Sequence, residues 1–332
     1  MVLIQNNNTL TLKHTQKVTG EAEYIDFGVI SELDLLITVS YVVENQVELM
    51  KVTTTCLKTF LELDHYKISI TKAFKSFKNL QKVSIFPLYS ESSEKTSAII
   101  TNPKNTTLYM IDICPDSKKM LSHKKIQMKY KVELSVFHNK FTDYVIVFDD
   151  EGSTFRVYNR NFTLSKDFGL YEGEVITSCC FINSSQILLF LNTRIILFDF
   201  EYFSILSSEL NTNSSIVTSS LHIPELNLLC LGDEEGSLKT YNYILTSSEL
   251  DLTLISKLKM NEGKNDSIDQ ILLFNESILV SNKGNILILN ELCQKNSAIS
   301  KFSFPFKGKV QKLELHSDLV LALNGNSIKI MN

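Results

Sequence analysis

Six times between residues 98 and 331 a β-rich run meets an Asn or Asp turn and a second run leaves it. The copies are Ala98–Ile113 (turn at Asn102), Tyr144–Tyr158 (Asp149), Gln186–Phe200 (Asn192), Leu226–Tyr243 (Asp233), Ile278–Asn290 (Asn282) and Leu319–Met331 (Asn324). A looser copy, Leu35–Val52, precedes them with its turn near Tyr41–Asn45. Runs parted by such breakers read as β-hairpins, and in Leu226–Tyr243 the acidic turn Asp233-Glu234-Glu235 ends in Gly236, which accepts positive φ. Successive turns lie 41 to 49 residues apart. A repeat of that length is one supersecondary unit whose apolar faces are buried only by its neighbours, so the whole chain must fold as an array.

The period is that of a four-stranded propeller blade, about 40–45 residues. The two strands missing from each hairpin are present in the sequence. Ahead of the hairpins lie apolar runs suited to inner strands: Tyr24–Ile30, Val83–Leu88, Val132–Phe137, Val175–Ile182, Ile216–Ile223, Ile271–Phe274 and Val310–Leu315. Behind them lie more polar runs suited to exposed outer strands, such as Phe162–Lys166, Phe203–Ser208, Leu252–Leu258 and Ile299–Phe304. The chain stops at Asn332, after the third strand of the seventh unit, and opens with a strand-like Thr9–His14 that has no local partner. Residues 1–14 therefore supply the missing strand of the last blade and remove an unpaired edge. The expectation is one all-β domain over 1–332, a seven-bladed β-propeller with its ring closed by the N-terminal strand.

Charge and composition bound the partners. The 33 Lys+Arg and 37 Asp+Glu leave a net charge of −4, so contact with nucleic acid must rest on a local patch. Only Arg156, Arg160 and Arg194 carry a guanidinium, the better group for bidentate phosphate contact. The start MVLIQNNNTLTLKH lacks the basic and apolar regions of a signal peptide, and the most apolar stretch, Ile187–Phe200, is interrupted by Asn192, Arg194 and Asp199. These features predict a soluble intracellular protein, nuclear or cytoplasmic, without membrane contact. The six cysteines form no CxxC pair and read as small buried hydrophobes.

Catalytic signatures are missing from the sequence: no GxSxG, GxGxxG or Walker loop occurs, and the six histidines form no HxH or HxxxH. The histidines read as strand-end or partly buried residues. The acidic groups Asp149-Asp150-Glu151 and Asp233-Glu234-Glu235 read as solvated turn residues. The expectation is a protein that is not an enzyme, with no metal, no cofactor and no small-molecule substrate. A propeller hydrolase built from carboxylates of different blades at the central channel remains an alternative, because sequence spacing does not test it.

Two segments exceed the repeat and are rich in lysine, residues 64–82 and 114–131. In the first, Phe74, Phe77 and Leu80 recur at three-residue spacing among Lys67, Lys72, Lys75, Lys78 and Lys82, which predicts a short amphipathic helix. The second carries Lys118, Lys119, Lys124, Lys125, Lys129 and Lys131 and should include an outer strand. Together they could form one basic surface. Three readings stay open for it: an aggregation-resistant edge, a protein contact, and RNA or DNA binding through Lys72, Lys75, Lys78, Lys118, Lys119, Lys124 and Lys125.

The repeat resembles the WD-repeat class of propellers, in a degenerate form. The Trp-Asp that ends the third strand in that class reads Tyr158-Asn159, Phe198-Asp199 and Tyr241-Asn242, and the usual Gly-His before the inner strand reads Glu172-Gly173-Glu174 before Val175. The resemblance implies a WD40-like, non-enzymatic scaffold for one or more protein subunits, and leaves open the hydrogen bond between that His and the core Asp. Within the chain, Asp143–Cys180 is similar in layout to the middle of the non-catalytic WD-repeat subunit of tRNA (guanine-N7) methyltransferase. That narrower resemblance implies a methyltransferase partner, RNA contact, a nuclear location, and Arg156, Arg160 and Lys166 at the subunit interface. The family's Asp-Arg-Asp turn reads Asp149-Asp150-Glu151 here, and its Gly-His is absent.

Overall fold

The computed structural model describes residues 12–17, 23–69, 84–88, 96–101, 105–138, 144–149, 154–159, 162–210, 215–246, 249–260, 266–274, 277–282, 285–289, 299–301 and 310–332. The chain forms two compact units, one containing Leu12–Tyr171 with Gln311–Asn332, the other Glu172–Val310.

The first unit begins with β1 (Leu12–Lys17), β2 (Glu23–Ile30), β3 (Leu35–Glu44), β4 (Val47–Cys56) and β5 (Glu62–Ser69). It continues with β6 (Ser84–Leu88), β7 (Thr96–Thr101), β8 (Asn105–Ile113), β9 (Met120–His138), β10 (Tyr144–Asp149), β11 (Thr154–Asn159) and β12 (Leu164–Gly169). The second unit holds β13 (Ile176–Phe181), β14 (Gln186–Leu191), β15 (Arg194–Asp199), β16 (Ser204–Leu210), β17 (Val217–Ile223) and β18 (Leu228–Asp233). It ends with β19 (Ser237–Leu245), β20 (Leu250–Lys259), β21 (Ile268–Phe274), β22 (Ser277–Asn282), β23 (Asn285–Leu289) and β24 (Ile299–Lys301). The chain then returns to the first unit with β25 (Lys312–His316), β26 (Leu319–Asn324) and β27 (Ser327–Met331).

Every strand pairs antiparallel to its neighbour. The second unit is three four-stranded meanders, β13 to β16, β17 to β20 and β21 to β24. The first unit has a meander β2 to β5 and a sheet ordered β1-β27-β26-β25. The expected closure is therefore present: β1 pairs with β27, His14 opposite Ile330 and Gln16 opposite Ile328. The paired strand is Leu12–Lys17 rather than Thr9–His14, and Thr9–Thr11 lie outside the described residues.

The remaining sheet has seven strands, β6 to β12, because β9 serves two four-stranded units. Its first half pairs with β8, from Ile113 opposite Met120 to Thr107 opposite Gln127. Its second half pairs with β10, Phe137 opposite Ile146. The sequence reading placed an outer strand in 114–131 and an inner strand at Val132–Phe137. The structure joins the two in a single run, so the lysine-rich excess leads directly into the next inner strand. The first basic segment also changes: His65–Ser69 belongs to β5, while residues 70–83, including the expected helix with Phe74 and Phe77, lie outside the described residues.

Middle strands are buried on both faces, which is why they read as continuous apolar runs rather than alternating ones. Ile187–Leu191 of β14 and Ile195–Phe198 of β15 are all buried. Cores form where sheets face each other inside a unit. Ile37 and Val39 of β3 pack with Ile100 and Ile111 of β7 and β8, and Phe27 and Leu36 pack with Leu321, Leu323 and Ile330. Each such side chain contributes about 1.5–3 kcal/mol relative to exposure. The hairpin β3–β4 turns at Asn45 and Gln46, with φ of 50° and 64°. Two successive left-handed residues match the twist of a hairpin, so β3 runs on to Glu44 and the turn falls at the end of the expected Tyr41–Asn45 window.

Candidate interaction surface

The basic surface is built where the outer strands β5 and β9 meet. The Met120 N–H donates to Asp64 Oδ2 at 3.0 Å, and Leu63 and Met120 turn inward onto the core shared by their sheets. Register irregularities between Thr54 and Thr55 and between Asp112 and Ile113 make these edges uneven. Leu121 falls at the second irregularity and is 56% exposed; Leu61, just before β5, is 64% exposed. Tyr66, 37% exposed, lies against His123 with ring centroids 4.5 Å apart, and the Tyr109 ring is stacked with that imidazole at 6.5 Å.

Lysines flank these groups. Lys118 and Lys119 sit in the turn closed by Cys114 N–H to Lys119 O (2.9 Å) and Lys118 N–H to Cys114 O (2.8 Å), with Lys118 at φ 56°. On β9, Lys125 stands opposite Tyr109 and Lys124 opposite Met110, so the two point to opposite faces of the sheet. Other lysines nearby are neutralised: Lys67 donates to both oxygens of Glu44 at 2.7 and 2.8 Å, and Lys51 lies 3.5 Å from Glu62. Among the described residues, Lys119, Lys124 and Lys125 have no such partner and are exposed.

Lys118 and Lys119 thus share the turn, Lys124 and Lys125 lie on opposite faces of β9, and Lys72, Lys75 and Lys78 lie outside the described residues. Of the three residues assigned by resemblance to a subunit interface, Arg160 also lies outside them. Arg156 is only 6% exposed, and its Nε lies 3.5 Å from Asp167 on the neighbouring strand. Lys166 is exposed on β12, its Nζ 6.0 Å from the centre of the Phe168 ring. Because Arg156 pairs with Asp167 and Val157 with Lys166, the two cations project from opposite faces of the strand pair.

Charged groups inside the sheets form closed networks. Asp233 is 2% exposed, which corrects its reading as a solvated turn residue. Its Oδ1 accepts the N–H groups of Glu235 (3.1 Å) and Ser237 (2.8 Å), and its Oδ2 meets Ser215 Oγ (2.7 Å) and Lys239 Nζ (3.1 Å). Burial raises the pKa of this carboxyl, but the hydrogen bonds from Ser215, Ser237 and Lys239, with the charge of Lys239, outweigh that and hold it below the usual carboxylate value. Glu174, in the position where the WD class has His, is held by Arg194 and by Thr193 Oγ1 at 2.7 Å. On the inner strands Lys312 Nζ lies 3.0 Å from Asp26 and 3.2 Å from Glu314. The same two carboxylates accept the N–H groups of Ile85 (2.8 Å) and Val29 (3.0 Å). Sequence reasoning missed this trio; the signal was a Lys-x-Glu alternation inside an otherwise apolar inner strand.

These carboxylates anchor strands to one another and have their oxygens engaged. Among the described residues no group of three or more His, Cys, Asp or Glu is placed to hold a metal ion, and no helix is long and apolar enough to cross a membrane. Three histidines among the described residues have polar side-chain partners within their unit: His65 Nδ1 lies 2.9 Å from Glu62 Oε1, His222 Nε2 lies 2.7 Å from Tyr243 Oη, and His316 Nε2 lies 3.0 Å from Asp34 Oδ1.

Known structures with the same arrangement of sheets cover almost the entire chain. The Cps50 (Swd1) β-propeller domain of Myceliophteria thermophila superposes with a TM-score of 0.69 at 13% identity, over 97% of this chain and 99% of that one. The chain has the WD40 β-propeller fold. The WD40 repeats of RRP9 superpose at 0.63 and 9% identity, over 97% of this propeller and 99% of that domain. A chain of a mitotic checkpoint complex matches at 0.63 and 9% identity, over 97% of this propeller and 91% of that chain. No family model matches the sequence, and neither does any curated protein.

Proposed function

We propose that this propeller is a non-enzymatic scaffold subunit of a multiprotein complex. The observation that carries the reading is the contrast between its charged groups. Inside, Asp26, Asp233, Glu174 and Glu314 are engaged by neighbouring strands, whereas Lys119 and Lys125 are exposed and make no ion pair among the described residues, in the two outer segments that also expose Leu61, Leu121 and Tyr66. Exposed edges on a rigid sheet framework suit the holding of other proteins. Within this reading the narrower partner is a tRNA (guanine-N7) methyltransferase, supported by the layout of residues 143–180 and contacted through exposed Lys166.

The test is affinity purification of the full chain from its native cell, with the co-purifying proteins quantified against the bait. One or more proteins in near-stoichiometric amount is the expected result, and a methyltransferase among them would identify the narrower role. Recovery of the chain as a monomer without such a protein, at both low and physiological salt, overturns the scaffold reading.

A further inference from the structure

We infer that the rim formed by β5, the 114–119 turn and the first half of β9 docks an acidic protein segment bearing large apolar side chains. This rests on the scaffold reading and names the chemistry of one partner. Residues 114–131 carry six lysines against one carboxylate, Asp116, in a chain whose net charge is −4. The local field therefore opposes that of the whole molecule and steers an acidic partner to this rim. Lys119 and Lys125 make no ion pair among the described residues, so they reach a partner's carboxylates without first breaking a bond at home.

The apolar content separates a protein from a nucleic acid. Leu61 and Leu121 flank the Asp64–Met120 tie in sequence, both more than half exposed, and Tyr66 rests against the His123 ring. Aliphatic anchors inside a charged rim are the arrangement of a protein docking site. A phosphate backbone gains nothing from Leu61 or Leu121 and finds no arginine among residues 114–131.

The experiment uses the full chain and two fluorescent probes, a twelve-residue peptide of repeated Glu-Glu-Leu and a twelve-nucleotide poly-U RNA, followed by anisotropy at low salt. The peptide should bind more tightly than the RNA. Its affinity should fall at least tenfold in Lys119→Glu/Lys125→Glu, at least threefold in Leu121→Ser, and less than twofold in Lys119→Arg/Lys125→Arg. Tighter binding of the RNA, an unchanged peptide affinity in Leu121→Ser, or no binding of the peptide overturns the inference. The affinity-purified complex separates this from the broader reading. Partners that co-purify undiminished with Lys119→Glu/Lys125→Glu overturn this docking site and leave the scaffold role standing.

Discussion

Arg194 grips Glu174 at two points, Nε to Oε1 at 2.8 Å and Nη2 to Oε2 at 2.9 Å. The acid precedes the inner strand and the base opens the third strand, so a charge pair stands where the WD class places a histidine. With both side chains largely withdrawn from water, removing one partner leaves the other charge buried. Glu174→Gln should lower stability by about 3–5 kcal/mol. Glu174→Met with Arg194→Leu should recover most of that loss. Urea unfolding midpoints of the three proteins provide the measurement, and equal midpoints for single and double variants would sink the argument.

Asp233 makes stability depend on acid. Its carboxyl titrates lower in the folded chain than in the unfolded one, so its contribution is complete above the ordinary carboxylate range, about pH 4. It is lost as the pH falls through the depressed folded value. Asp233→Asn should cost about 1–3 kcal/mol at pH 7, and its deficit against the parent should shrink below pH 4. Denaturant titrations at pH 7 and pH 3 compare the two; a deficit of constant size contradicts the assignment.

Gly232 of β18 lies between Ser219 of its own sheet and Ile268 of the next sheet in the same unit. A Cβ there would sit 2.5 Å from Ser219 Oγ and 2.6 Å from Ile268 Cγ2. Gly232→Ala should destabilise by about 1–3 kcal/mol through overpacking. Gly325, with φ of 55° and open space around it, should lose only about 1 kcal/mol on change to Ala. Thermal melts of the two variants should rank in that order.

Strand β1 covers the edge of β27 through five paired positions, reinforced by stacking of His14 on Phe60 at 4.9 Å. Deleting residues 1–17 should cost roughly 2–5 kcal/mol, at about 1 kcal/mol per lost backbone bond offset by chain entropy. Aggregation through the bared edge should rise. A synthetic peptide of residues 10–17 added to the truncated chain should restore part of the melting temperature. Unaltered melting after deletion would show that β1 contributes nothing.

Strand positions were legible because each depends on a local pattern. The expected inner strand Tyr24–Ile30 is β2 within one residue, and Leu319–Met331 spans β26 and β27 as written. Asp233 was placed in the right turn but given the wrong environment. Its surroundings come from Ser215 and Lys239, which its own neighbours in sequence do not announce. The lysine-rich excess was likewise visible, whereas the continuity of β9 across two blades depends on pairing with both β8 and β10.

The sequence by itself determined the repeat, the four-stranded unit and the borrowed N-terminal strand, since burial on one or both faces of a strand is written in the residues of that strand. Tertiary structure alone decided which charges meet. Lys312 and Phe27 are 285 residues apart, yet Lys312 donates to the Phe27 carbonyl at 2.6 Å and pairs with Asp26 next to it. The physical reason is range: hydrophobic periodicity acts over two residues, while an ion pair forms only after two distant strands have been brought side by side. The same holds at the rim, where only the folded sheet decides that Lys67 pairs with Glu44 while Lys125 makes no ion pair among the described residues.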